Sequence, residues 1–467
     1  IIVVALGVYS FFRLPVDAFP DVTNIQVEIL SSAPGRSPLE VEKFVTYPIE
    51  MTMRGLPGLT QLRSVSKFGL SVITAVFEDK VDIYFARQLV LERLIEAKEN
   101  VPEGVDISLG PVATAMGEIY QYTLEGSEPS DEKGMVDYLT ELRTIQDWVI
   151  SPILKAIPGV NEVNSFGGYI KQYQVFVDPD RLSKFVLSLN DVVDAMKRNN
   201  KNVGGNVLEE HSQQYLIRGV GLLESVEEIK NIILKSQDGV PVFIRDVAEV
   251  ETGHAVRQGA SLKDGEKEVV GGIVMMLRGS NSREVVKRIE HKVEEINGSS
   301  LLPQGLKIKP FYKRSDIIKE SIETVSRALA EGAFLVIIVL YLFLRSFRGS
   351  LIVILALPLS ALSTFIIMKQ VGLTANLMSL GGLAISIGMI IDATIIQVEN
   401  VQRHLSKSGD SKPKLGTVLR AVLEVRKPTI FGELIIALTF IPIMTLQGIE
   451  GKMFSPLAFT ISIALLS

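Results

Sequence analysis

Apolar residues collect at the two ends of this chain. Ile1 to Phe12 is almost wholly apolar and opens with no charged residue. It has neither the basic n-region nor the small-residue cleavage site of a signal peptide, so it reads as a transmembrane helix cut by the start of the sequence. From Ala328 onward the pattern is apolar again. Phe334–Leu344 is an unbroken run, extended upstream to Ala328 past the single acid Glu331. Leu351–Met368 is uncharged, nothing charged lies between Lys369 and Asp392, and Pro428–Leu446 carries only Glu433. The chain stops inside a last run, Phe454–Ser467. The inner stretches approach the roughly 20 residues that cross a ~30 Å hydrocarbon core. With the two cut ends they predict six membrane spans.

Between Arg13 and Arg327 the pattern is that of an ordinary globular protein. Gln26–Leu30 alternates like a strand. Ser37-Pro38-Leu39-Glu40 is a capping box with Pro at the first helical position, opening a helix to about Met53. Strands at about 62–67 and 70–77, a helix at 83–98 and a strand after Val101-Pro102-Glu103-Gly104 complete the order βαββαβ, a split-βαβ pattern. The punctuation then returns. A strand at 120–124, a helix at 137–156, strands near 162–166 and 172–177, a strand at 269–277, a helix at 282–296 and a final strand after Leu302-Pro303-Gln304-Gly305 make a second copy. The Pro-Gly signal at Pro57 recurs 101 positions later at Pro158, whereas the one at Pro102 recurs 201 positions later at Pro303. About 100 residues are therefore inserted inside the second copy, at roughly Pro179–Lys267.

Basic residues orient the spans, because short cytoplasmic loops are rich in Lys and Arg. Arg345 and Arg348 follow the second span, and Arg403, Lys407, Lys412, Lys414, Arg420, Arg426 and Lys427 follow the fourth. The alternate loops hold only Lys369 and Lys452. The globular region then lies outside the cytoplasm, and Thr417–Val425 reads as a short amphipathic helix at the cytoplasmic surface, with Thr417 as its N-cap. Composition fits two zones. The 467 residues carry 48 Lys and Arg against 53 Asp and Glu, a net charge of −5, with 22 % charged residues. Mean hydropathy is nonetheless +0.30. The absence of Cys excludes disulfides, thiolate metal sites and Cys nucleophiles. The four His (His211, His254, His291 and His404) are scattered singly, and no basic excess points to nucleic acid. No phosphate loop, HExxH or nucleophile elbow points to an enzyme.

The candidate chemistry lies in the membrane. Asp392 follows 22 uncharged residues, and a charge at that depth costs roughly 2.5–3.5 kcal/mol on insertion scales, so it marks function. Glu399 is seven residues on, which returns it to within about 20° of the same helix face. Glu433 is a third intramembrane acid. Gly381, Gly382 and Gly388 precede Asp392 and admit a close neighbouring helix, and Pro358 and Pro442 are kink positions.

Four stretches, Leu14–Val22 (LPVDAFPDV), Ala33–Glu42 (APGRSPLEVE), Asn376–Asn400 (NLMSLGGLAISIGMIIDATIIQVEN) and Gly432–Ala458 (GELIIALTFIPIMTLQGIEGKMFSPLA), together resemble the resistance–nodulation–division (RND) efflux pumps, in particular their heavy-metal branch (CzcA/CusA-type). The resemblance covers the whole chain and implies the N-terminal half of a pump. The fold class it implies is an α+β membrane protein: an α-helical transmembrane bundle with duplicated ferredoxin-like porter subdomains and an inserted docking subdomain. The divisions are a truncated first transmembrane helix (1–13), a first porter subdomain (14–117), a second (118–178 and 268–313), the docking insertion (179–267), and transmembrane helices two to six (326–467) with a cytoplasmic loop at 401–427.

It further implies proton-driven antiport by a homotrimer in the inner membrane of a Gram-negative-type envelope, with a large periplasmic domain. A periplasmic adaptor (membrane fusion) protein and an outer-membrane channel are the implied partners. No cofactor is implied; the cargo is a heavy-metal cation such as Cu/Ag or Zn/Co/Cd. Asp392 and Glu399 take the proton-relay positions, with Glu433 as an additional acid. Many divalent-cation pumps carry Asp-Phe-Gly where this chain has Ser386, Ile387 and Gly388; the local form looks like the copper and silver members. Met378 matches one of their membrane Met positions, a soft ligand for Cu(I), while Gln397 and Leu465 stand at others. A drug or hydrophobe pump and a non-transporting membrane-anchored periplasmic module remain as alternatives. Drug pumps usually carry two adjacent acids here, whereas Ala393 follows Asp392.

Overall fold

A computed structural model describes residues 2–112, 115–211, 213–237, 239–257, 259–344, 347–407 and 415–467 of the chain. Six long or apolar helices form one part: α1 (Ile2–Arg13), α2 (Arg314–Leu344), α3 (Phe347–Val371), α4 (Leu377–Lys407), α5 (Leu415–Thr439) and α6 (Gly448–Leu466). Among the described residues, four of the six predicted spans are long and apolar enough to cross a membrane: Leu351–Val371, Leu377–Ser406, Leu415–Met444 and Gly448–Leu466; Ile2–Arg13 is a shorter apolar helix. Arg345, Lys412 and Lys414, on which the predicted orientation leans, lie outside the described residues.

The other part contains two four-stranded antiparallel sheets. The first holds β1 (Ile25–Ser32), β2 (Leu59–Lys67), β3 (Leu70–Phe77) and β4 (Asp106–Leu109), in the order β2-β3-β1-β4. The second holds β5 (Glu118–Glu125), β6 (Val160–Phe166), β7 (Val270–Met276) and β8 (Lys307–Lys313), in the order β8-β5-β7-β6. Both sheets therefore place their strands as fourth, first, third, second. Each buries one face against two helices, with Ile29, Ile73 and Val90 in the first core and Tyr122, Val274 and Ile289 in the second.

The first helix of each unit carries the same irregularity. Ser37 and Glu40 close the expected capping box, and the helix then widens into a π-turn over Glu42–Thr46 just before Pro48. In the second unit the π-turn is Gln146–Ile150, just before Pro152. A proline offers no N–H and crowds the preceding turn, and a wider turn accommodates it. The second turn also points Gln146 into the core, where it is fully buried and accepts from Tyr122 Oη at 3.0 Å.

Two expectations change. The strand Lys171–Val177, placed by sequence in the second unit's 118–178 segment, pairs with Ala248–His254 of the insertion instead. Gly167 and Gly168 are both left-handed and turn the chain away after β6. A Cβ on Gly167 would lie 1.9 Å from the Val269 carbonyl oxygen, so only glycine fits there. The second change is in the membrane part. Thr417–Val425 is not a separate surface helix; it is the opening of α5, which continues through Pro428 to Thr439. Just past Pro428, Thr429 Oγ1 donates to the Val425 carbonyl one turn back at 2.8 Å.

Of the three glycines ahead of Asp392, one performs the expected role. A Cβ on Gly382 would come 2.6 Å from the Leu457 carbonyl oxygen, so α4 and α6 touch backbone to backbone there; Gly381 and Gly388 have no such neighbour among the described residues.

Candidate functional site

The start of α4 is firmly built. Asn376 is almost fully buried, and its Oδ1 accepts from Met378 N–H and Ser379 N–H, each at 3.0 Å. Ser379 Oγ accepts from Asn376 N–H at 2.9 Å. These bonds satisfy N–H groups that a helix start otherwise leaves unpaired. Asp392 follows 15 positions after Leu377, about 22 Å down the helix at ~1.5 Å per residue.

At that depth α4 and α5 separate around a cavity of ≈300 Å³. Asp392, Ala393 and Ile396 line it from α4; Pro428, Gly432 and Glu433 line it from α5. Ala393 and Gly432 bring little side-chain volume, which leaves the space open. The Thr429 hydroxyl on the same wall is spent on its own helix. Among the described residues no basic side chain lines the cavity, and Asp392 and Glu433 are the ionisable groups on its wall. A carboxyl takes up and releases protons without any cofactor, and two carboxyls opening on one space offer a proton both a donor and an acceptor.

Glu399 lies seven residues further along α4, exposed, and is not part of that cavity's wall. Beyond it the ends of α4 and α5 are tied together. His404 Nε2 lies 3.1 Å from Glu424 Oε2, and Asn400 Nδ2 donates to the Ala421 carbonyl at 2.8 Å. Met378 sits half-buried in the first turn of α4, 14 residues and about 21 Å from Asp392 at ~1.5 Å per residue. Ser386 is fully buried and donates to the Leu383 carbonyl at 2.7 Å, so its hydroxyl serves its own helix. Gln397 faces a second, mostly apolar cavity of ≈390 Å³ shared with Gly349 and Val418. Among the described residues, no three His, Asp or Glu side chains gather as a metal site. The sequence held both Asp392 and Glu433 but no signal that they share a cavity, because that depends on how α4 and α5 pack.

The chain matches the family described as the AcrB/AcrD/AcrF family over residues 1–467. It is 47 % identical, over 99 % of its length and 44 % of the other protein, to a "Cation efflux system protein CzcA" of Alcaligenes sp.. It is 41 % identical, over 97 % of its length and 44 % of the relative, to "Cation efflux system protein CusA" of Escherichia coli K12. Among solved structures it is similar to a heavy metal efflux pump, with a TM-score of 0.88 and 35 % identity over 100 % of this chain and 45 % of that one. The chain thus spans about half the length of the curated relatives it matches.

Proposed function

Since this chain belongs to the AcrB/AcrD/AcrF family of RND transporters, we propose that it is part of an inner-membrane antiporter that exports heavy-metal cations in exchange for protons. The observation that carries this reading is the acid cavity: Asp392, deep within a membrane-capable helix, opens on the same ≈300 Å³ space as Glu433. In this reading Asp392 and Glu399 relay protons along α4 and Glu433 assists Asp392 from α5. Met378 offers a thioether to a soft cation at the outer end of α4. The protein is a transporter rather than an enzyme and needs no cofactor; the metal is cargo.

We read the two four-stranded units as ferredoxin-like porter subdomains and the insertion between β6 and β7 as a docking subdomain. These lie in the periplasm, where an adaptor protein and an outer-membrane channel continue the route. A homotrimer is supported by the hairpin Val203–Glu210 and Gln213–Gly219, whose second strand is exposed throughout. Val203, Val207, Leu208, Leu216 and Ile217 all stand in the open. A lone two-stranded hairpin is marginal in water, and a neighbouring subunit supplies the missing cover.

The test is Asp392→Asn in the protein as its gene encodes it. Cells carrying the variant are expected to lose tolerance to Cu, Ag, Zn, Co or Cd, whichever the parent protein confers. Proteoliposomes are expected to lose metal-triggered proton flux, with assembly unchanged. Full metal tolerance in that variant would overturn the proton-driven reading.

A further inference from the structure

Residues 14–24, between α1 and β1, join parts of the molecule that are remote in sequence. Their backbone pairs with the residues just before α4. Val16 bridges Ala375 in parallel. Asp17 N–H donates to the Ala375 carbonyl at 3.1 Å, Ala375 N–H to the Pro15 carbonyl at 2.9 Å, and Leu377 N–H to the Ala18 carbonyl at 3.1 Å. Leu14 is buried among Phe365, Met368, Leu383 and Ala464, from α3, α4 and α6. At the other end of the segment, Lys452 of α6 donates to the Thr23 carbonyl at 3.1 Å and to Asn24 Oδ1 at 3.2 Å, and pairs with Asp79 of the first unit at 2.5 Å. The segment is therefore fixed to α4 and α6, which themselves touch at Gly382 and Leu457.

The Asp17 side chain points to the second unit. Its Oδ1 accepts from Arg314 Nε at 2.9 Å and from Arg314 Nη2 at 2.8 Å. Arg314 is the first residue of α2 and directly follows β8, so it stands where the second sheet becomes a membrane helix. It is 6 % exposed. Its Nη1 also donates to the Met116 carbonyl, in the turn leading into β5. A planar guanidinium holds several acceptors in a fixed fork, so one side chain grips the α4 segment and the entry to the second sheet together. Removing either partner would leave a mostly buried charge without its counterion. A joint of that kind passes displacement on; it does not absorb it.

We propose that the Asp17–Arg314 pair is the coupling joint of this transporter, carrying the movement of α4 that protonation at Asp392 sets off to the second outer unit. Both are positioning residues, and the proposal rests on the proton-driven reading above. Elements packed this way exchange between discrete arrangements rather than deforming smoothly. Coupling of the usual size shifts a linked equilibrium by about 5- to 150-fold.

The experiment uses the protein as its gene encodes it, reconstituted in proteoliposomes, with Ag(I) and Zn(II) supplied separately as cargo. Asp17→Asn, Arg314→Met and the charge-exchanged double variant D17R/R314D are compared with Asp392→Asn. Asp17→Asn and Arg314→Met are expected to lower export by about tenfold. Metal-free proton permeability and oligomeric state stay at parental values, the thermal midpoint falls in each single variant because a buried charge loses its counterion, and the exchanged pair recovers part of both the midpoint and the export. The proposal is overturned by parental export in either single variant. It is equally overturned by lost export that follows lost assembly and is not recovered by the exchange. Continued export by Asp392→Asn would instead sink the proton reading while leaving the joint measurable through the single variants.

Discussion

A charged residue in this protein takes its meaning from its surroundings more than from its type. Glu125 and Glu433 are both glutamates, one held by lysines outside the membrane helices and one set opposite an aspartate within them. Partial burial works against the charge of Glu125, but Lys263, Lys309 and Thr123 bond it and hold its pKa down at about 2, from an ordinary 4.5. Lys263 approaches to 2.5 Å and Lys309 to 2.7 Å. A carboxyl with a depressed folded pKa contributes stability that is complete above its unfolded value and is lost as pH falls through the folded one. Here that window runs from about 4.5 down to about 2. Glu125→Gln is therefore expected to lower the thermal midpoint at neutral pH and to flatten its decline on acidification within that window. Melting curves between pH 6 and pH 3 check this, and an unaltered slope counts against it.

At the scale of elements, local sequence was a good guide to where helices begin and a poor guide to which surfaces meet. The Ser37 and Glu40 capping box forms as expected, because both partners lie within one turn. Pro428, in contrast, does not separate a surface helix from a membrane helix; α5 runs through it. The glycine cluster signalled close packing, yet only the structure shows that Gly382 meets α6 at Leu457 while Gly381 and Gly388 meet nothing among the described residues. Gly382→Leu is expected to force α4 and α6 apart and to destabilise the protein by about 1–3 kcal/mol, whereas Gly388→Leu costs much less. Thermal unfolding of both variants in detergent compares them, and equal effects would contradict the packing described.

Across the whole molecule, much apolar surface has no cover within this chain. Only 6 % of the most apolar window of α5 is buried, and the 203–219 hairpin extends into solvent. Replacing 204–218 with a short turn is expected to convert the proposed trimer into single protomers while leaving each protomer folded; mass measurement in lipid nanodiscs decides it, and an intact trimer would remove the hairpin from the interface. The sequence by itself determined what depends on near neighbours. Hydrophobic runs marked six spans, of which four are, among the described residues, long and apolar enough to cross a membrane while Ile2–Arg13 is a shorter apolar helix; Pro-Gly turns marked the repeated strand–helix order, and the uncharged approach to Asp392 singled it out. Tertiary structure alone decided what depends on distant segments: Glu433 opposite Asp392, Lys171–Val177 paired with Ala248–His254, and Asp17 on Arg314. The reason is physical. Caps and spans arise from strong interactions within a few residues, whereas the pairing of remote surfaces is the sum of many weak contacts whose total depends on shape, and no local stretch of sequence contains that shape.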